Sequence, residues 1–339
     1  MERILGASGF DSVIERLHKV AIKVHVGEKN NDTHVAPEII RAVADRVKQR
    51  GAFPFLTETS TLYKGNRNNA IVHLIEAFTH GFTYEKTGAP FIMADGLSGN
   101  TEIEVPIRGE IFDKVNIARE VVFADALIAV SHATGHMAMG LGACLKNLGM
   151  GLSSRMGKLR QHSSIKPRID AAACTFCGKC IEWCPEDAIV PKDVVEKSGK
   201  AFILEKKCIG CGECLAVCNF DAVKYNWGVE SSDLQKRVAE HALGAVQNKR
   251  QKSFFINCLT DMTGGCDCMG NRQDRIMGDV GVLASTDPVA IDQATLDLTE
   301  KHFGESLAKK SYPQIDASLQ LEHGERIGLG SRAYRLVDI

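Results

Sequence analysis

The chain has 339 residues, 44% of them hydrophobic and 24% charged, with a formal net charge of −1. That length exceeds one small module, the apolar fraction supports a sizeable core, and the near-neutral balance excludes the strongly basic surface of a nucleic-acid or anionic-membrane binder. No apolar run reaches the length of a membrane span, and the start Met1-Glu2-Arg3 lacks a signal-peptide layout, so a cytoplasmic protein is expected.

In chain order, Val20 to Val26 alternates β-branched residues and predicts a strand. Pro37 opens a helix whose apolar residues Ile39, Ile40, Val43 and Val47 recur at helical spacing, and Gly51 ends it. A strand follows at Phe53–Thr57, a helix at Ala70–Thr79 and a strand at Pro90–Ala94. A helix near Ile117–Phe123 and a strand at Ala126–Ser131 complete this series. After Gly151 the stretch Leu152–Lys166 turns polar and basic, and Pro167 leads into a block of cysteines. Beyond Trp227 the pattern resumes with a helix over Leu234–Val246, a strand over Phe254–Asn257 and another over Val280–Ala284. Asp287-Pro288 then reads as an N-cap followed by proline at the first helical position. Such alternation predicts an α/β fold: a discontinuous, largely parallel-sheet domain with an inserted α+β ferredoxin-like domain. The expected boundaries are 1–165 for the first part, 166–228 for the insert and 229–339 for the second part.

Eight of the twelve cysteines lie between Cys174 and Cys218. Clustered cysteines in a chain without an export signal point to metal rather than disulfides. Cys174, Cys177, Cys180 and Cys184 follow C-x2-C-x2-C-x3-C with Pro185 next, and Cys208, Cys211, Cys214 and Cys218 repeat the spacing. Three thiolates from one tight turn wrap a cubane, and the fourth arrives from the other motif. Cys174, Cys177, Cys180 and Cys218 are therefore expected on one 4Fe–4S cluster, and Cys208, Cys211, Cys214 and Cys184 on the second. Two zinc sites would instead use paired C-x2-C knuckles. Asn219 stands where a second proline usually follows, which removes no ligand. Gly178, Gly210 and Gly212 suit tight turns. Nine basic and nine acidic side chains between Lys166 and Tyr225 favour an internal relay over a freely diffusing acidic carrier.

Cys258, Cys266 and Cys268 form a second concentration, C-x7-C-x-C, in a glycine-rich loop after a predicted strand. Three soft ligands there suggest a third metal centre of unspecified identity, against free thiols or a redox disulfide. His132 and His136 follow the strand ending at Ser131; on a helix their spacing would share one face, and on a loop they could bind an anion or move protons. His25 and His34 flank another strand end, and Lys146 in KNLGMG could meet a carboxylate or phosphate. His132, His136 and Lys146 are thus the catalytic candidates. Isolated Cys144 reads as a core residue. Neither a dinucleotide-binding glycine fingerprint nor a Walker loop is present.

The segments IKVHVGEKNNDTHVAPEIIRAV (22–43), TETSTLYKGNRNNAIVHL (57–74), MADGLSG (93–99), SHATGHMAMGLGACLKNLGMG (131–151) and DVGVLASTDPVAIDQATLDL (279–298) are together specific. With the cysteine block, the chain resembles domain-of-unknown-function family 362, in its iron–sulfur-containing branch. The resemblance implies an α/β domain with an embedded bacterial ferredoxin domain and brings no assigned reaction. The leading expectation is an iron–sulfur oxidoreductase in which two clusters serve a cysteine- and histidine-containing site in the α/β domain. Its partner would be a redox protein or a small electron donor or acceptor, with no nucleic acid and no membrane span. A non-enzymatic electron carrier and a metal- or cluster-handling protein are the alternatives.

Overall fold

The computed structural model describes residues 1–63, 65–162, 167–195, 198–208, 213–224 and 231–339. Cys211, Gly210 and Gly212, expected in the second cysteine motif, lie outside the described residues.

The central sheet begins with β1 (Lys19–Lys23), followed by helix α1 (Pro37–Gln49), β2 (Phe53–Glu58), α2 (Ala70–Thr79) and β3 (Phe91–Met93). Next come β4 (Ala126–His132), α3 (Cys144–Gly149) and α4 (Arg155–His162). After the cysteine-rich segment, α5 (Ser231–Val246), β5 (Ser253–Leu259), β6 (Gly281–Ser285) and α6 (Pro288–Phe303) complete the body. The six strands lie in the order β6-β5-β4-β1-β2-β3. All neighbours are parallel except β5 and β6. Because β5 pairs with β4, chain from both sides of the cysteine-rich segment builds one discontinuous sheet.

Alternation along the strands sends side chains to two faces. Val20, Ile22, Ile128 and Ile256 pack with Ile40, Val43 and Val47 of α1. Ala21, Leu127, Ala129 and Phe255 pack with Leu145 and Leu148 of α3, Leu243 of α5 and Val289 and Ile291 of α6. With both faces covered, β4 and β5 are buried along their whole length, as parallel interior strands are. Each large aliphatic side chain so buried contributes about 1.5–3 kcal/mol.

Helix starts follow the expected chemistry. Asp287 accepts from the Val289 and Ala290 amides at 2.8 and 3.0 Å, with Pro288 at the first helical position. Asn69 does the same for Ile71 and Val72. Helix α3 lacks a cap of its own; the buried Asp292 carboxylate of α6 accepts from the Cys144 and Leu145 amides at 2.9 and 2.8 Å.

One local expectation needs correction. Ile117 and Ala118 are not helical: they finish the strand Lys114–Ala118, antiparallel to Glu102–Pro106, and the helix is confined to Arg119–Phe123. Continuous burial from Val115 to Ala118 and pairing with Glu102–Pro106 win there. The polar stretch after Leu152 contains α4, whose Lys158 and Gln161 are buried through hydrogen bonds to Ser153.

The cysteine-rich segment carries its own small antiparallel pairs, Ile189–Val195 with Ser198–Ile203 and Arg168–Ile169 with Val223–Lys224. Its hydrophobic cluster, including Ile189, Ala201, Ile203, Ala222 and Val223, also takes in Leu62 and Leu159 of the body. Among the described residues, no helix is long and apolar enough to cross a membrane.

Candidate functional site

In a parallel sheet whose strand order reverses, loops at the carboxyl ends of the two diverging strands leave a crevice for ligands. Here the reversal falls between β1 and β4. Polar side chains at those ends of β1, β2, β4 and β5 converge on it.

Lys23, the last residue of β1, is buried and donates to Asn147 Oδ1 at 2.8 Å, with Glu58 Oε1 3.5 Å away. Burial lowers its pKa to about 8, opposed by the Glu58 charge. Glu58 ends β2 and lies 2.8 Å from His73 Nε2 and 3.6 Å from Arg67 Nη1. Burial would raise the Glu58 pKa, but Lys23 and His73 outweigh it and hold the carboxylate ionised. Arg67 also donates to Glu28 Oε2 at 3.2 Å, Tyr63 Oη at 2.6 Å and His25 Nε2 at 3.2 Å. Burial and the Arg67 charge keep His25 neutral.

His132, at the end of β4, faces two acceptors: Nδ1 lies 2.8 Å from Asp267 Oδ2 and Nε2 lies 2.9 Å from the Thr260 carbonyl. Both ring nitrogens must donate, so the ring is an imidazolium. Burial opposes that charge, but Asp267 and Thr260 raise its pKa above the ordinary value. Asp267 accepts in turn from Asn31 Nδ2 at 3.2 Å and Thr33 Oγ1 at 2.9 Å, which ties the loop after β1 to the loop after β5.

Lys146 lies in α3 and donates from Nζ to Cys266 Sγ at 2.6 Å. The Cys268 amide also points at Cys266 Sγ, 3.4 Å away. A hydrogen bond from the Cys268 thiol and the Lys146 charge hold Cys266 well below the ordinary thiol range, and the Cys268 thiol is raised. Burial opposes charge on Lys146, yet the two sulfurs keep it protonated. Gly151 permits this crowding, since a Cβ there would stand 2.7 Å from Lys23 Cε and 2.2 Å from the Asn147 carbonyl.

The structure separates some expected partners. His132 and His136 do not share a helical face: one ends β4 and the other lies in a small hairpin, Thr134–His136 with Gly140–Gly142. His136 Nδ1 accepts from the Ala138 and Met139 amides, and burial beside Lys146 holds the ring neutral. Cys258 does not join Cys266 and Cys268. It is packed in the apolar cluster of β1, β4 and α1, where burial pushes its thiol up to about 12. The structure thus brings Cys266 and Cys268 together on one loop and packs Cys258 in the apolar cluster. Cys144 is a core residue, as expected.

In the cysteine-rich segment, Cys174, Cys177, Cys180 and Cys218 line one concavity with Ile169, Phe176 and Val223. Burial and the other three sulfurs push the Cys180 thiol up to about 11. Cys184, Cys208 and Cys214 belong to the same hydrophobic cluster. The two halves echo each other: the Ala188 amide donates to Cys184 Sγ at 3.2 Å and the Ala222 amide to Cys218 Sγ at 3.3 Å, with Asp187 and Asp221 both at positive φ.

Residues 20–297 match the family model described as Domain of unknown function (DUF362). The chain belongs to this family. No curated protein matches it. A solved structure, the lactate racemase apoprotein from Thermoanaerobacterium thermosaccharolyticum, is similar at 13% identity and a TM-score of 0.44. That likeness covers 84% of the present chain, which spans 50% of the racemase chain.

The DUF362 match takes in the converging strand ends and the cysteine-rich segment alike. Sequence reasoning passed over Lys23, Glu28, Glu58, Tyr63, Arg67, His73 and Asp267. A charged residue closing an otherwise apolar strand, as in VAIK and FPFLTE, was the available signal for Lys23 and Glu58.

Proposed function

We propose that this DUF362 chain is an iron–sulfur oxidoreductase of the family's cluster-containing branch. Its cysteine-rich segment would hold two 4Fe–4S clusters, and its chemistry would take place at the crevice between β1 and β4. The observation that carries the reading is the convergence of Cys174, Cys177 and Cys180 with Cys218, a residue of the other motif, on one concavity. The donor set fits the group. Four thiols ring a space with apolar walls, and a backbone amide donates to Cys218 as it would to a ligating sulfur. Cys184, Cys208 and Cys214, with Cys211, would hold the second cluster. When bound, such clusters supply one-electron transfer at low potential.

The body's own residues do the rest. Lys146 stabilises a thiolate at Cys266 Sγ, and the imidazolium of His132 holds a proton at the crevice. Glu58 and Glu28 balance Lys23 and Arg67, so these four buried charges hold one another in a fixed geometry. Proton donors beside a nucleophilic sulfur suit a reduction in which protons accompany electrons. Leu62 packs against the cysteine-rich segment, and the next residue, Tyr63, belongs to the Arg67 network, so the two regions meet across one loop.

The test is EPR of the anaerobically purified, dithionite-reduced protein and of its Cys218→Ala variant. Two reduced-cluster signals are expected in the parent and about half the spin in the variant, because Cys218 serves the first motif. A diamagnetic parent protein, or a variant with both signals intact, would overturn the reading.

A further inference from the structure

The thiols Cys266 and Cys268 sit where no simple packing role explains them. Cys266 is 6% exposed and Cys268 half-buried, on a loop with Gly264, Gly265 and Gly270. A buried ammonium is spent on one sulfur, with Lys146 Nζ 2.6 Å from Cys266 Sγ. The Cys268 amide faces the same sulfur at 3.4 Å. Cys258 stays out of reach in the apolar core, so the arrangement is a pair. Asp267 between them is locked by His132, Asn31 and Thr33, which fixes the backbone that carries both thiols. Tyr63, which accepts from Arg67 Nη2 at 2.6 Å, follows Leu62 on the loop that packs against the cysteine-rich segment.

We infer that Cys266 and Cys268 form a redox-active dithiol–disulfide couple, with Cys266 as the attacking sulfur, Cys268 as the resolving one, and a small-molecule disulfide as substrate. The Cys266 thiolate attacks one sulfur of the substrate; a mixed disulfide forms and the first thiolate leaves, taking a proton. Cys268 then gives up its proton and attacks Cys266 Sγ, the second substrate thiol leaves, and the Cys266–Cys268 disulfide closes. The balance is one substrate disulfide, one thiolate, one thiol and one proton in, and two substrate thiols and the protein disulfide out. Resetting the couple to its thiolate–thiol form takes two electrons from a low-potential donor of the iron–sulfur class and one proton from solvent. On that donor alone the inference rests on the proposed function. Lys146 is a positioning residue that favours the thiolate and steadies the leaving charge.

Anaerobic protein is exposed to oxidised glutathione at neutral pH, quenched with N-ethylmaleimide and digested with trypsin, which releases residues 253–272 as one peptide. The expected product carries a Cys266–Cys268 bond that dithiothreitol removes. In Cys268→Ser, glutathione should remain trapped on Cys266; in Cys266→Ser, Cys268 should stay unmodified. Lys146→Met should slow trapping at Cys266 by about tenfold or more, as expected when a thiolate loses its cation. A parent peptide with no such bond, or one linking Cys258, overturns the inference even if the variants fail to fold. EPR of the same reduced sample separates the two claims. A disulfide without cluster signals removes the proposed donor and leaves the couple standing, whereas cluster signals without a disulfide do the reverse.

Discussion

Lys146, His132 and Asp267 show how single side chains set the protonation of this crevice. His132 donates from both nitrogens, so its charge is tied to Asp267. Its folded pKa is raised, which fixes the sign. The stabilisation is complete below the unfolded value near about 6.5 and fades as pH rises through the folded value. Asp267 is held down despite burial, chiefly by His132, so its share is present above the unfolded carboxylate value and lost in acid. The loss of denaturant midpoint on Asp267→Asn should therefore be larger at pH 6, where the His132 imidazolium needs its partner, than at pH 9. That substitution should itself cost about 3–5 kcal/mol, because it leaves a buried partner uncompensated. An equal loss at both pH values would refute the imidazolium assignment. At Lys146 the expected outcome concerns the thiol: in Lys146→Met, alkylation of Cys266 by iodoacetamide should need a higher pH, approaching the ordinary thiol value of about 8.5.

The elements were legible where their period was strong. Pro37, Ile40, Val43 and Val47 announce α1, and Asp287-Pro288 announces α6, because caps and apolar spacing act locally. The strand Lys114–Ala118 was misread because a short β-branched run before a helix carries no signal of which partner it will pair with; Glu102–Pro106 decides that from a distance. The cysteine spacing pointed to residues that would share a cluster, because a cubane would impose its geometry on local sequence, and four of them line one concavity. The crevice was only half visible. Lys146, His132 and Cys266 could be suspected, but Glu28, Arg67 and Asp267 act through contacts between loops far apart in the chain. Helix α3 depends on such a contact, since its first amides rely on Asp292. Asp292→Ala orphans the Cys144 and Leu145 amides and leaves Asn257 Nδ2 with Thr295 Oγ1 as its acceptor, and should cost at least about 2 kcal/mol. Calorimetry of that variant, with the cluster signals as a control for the distant segment, checks it.

For the whole molecule, the fold joins the cysteine-rich segment to the body that carries Cys266 and Cys268. The sheet is closed by β5 only after the chain has passed through the cysteine-rich segment, so neither region is a free appendage of the other. A six-stranded body with a reversal between β1 and β4 supplies the crevice, and Leu62 and Leu159 join it to the segment that gathers Cys174, Cys177, Cys180 and Cys218. The proposed function requires that segment to hold clusters. Iron, acid-labile sulfide and zinc should be measured together on protein purified without oxygen. The expected result is about eight irons and about eight sulfides per chain, with zinc at background, as two cubanes require. Stoichiometric zinc with little iron or sulfide would contradict it.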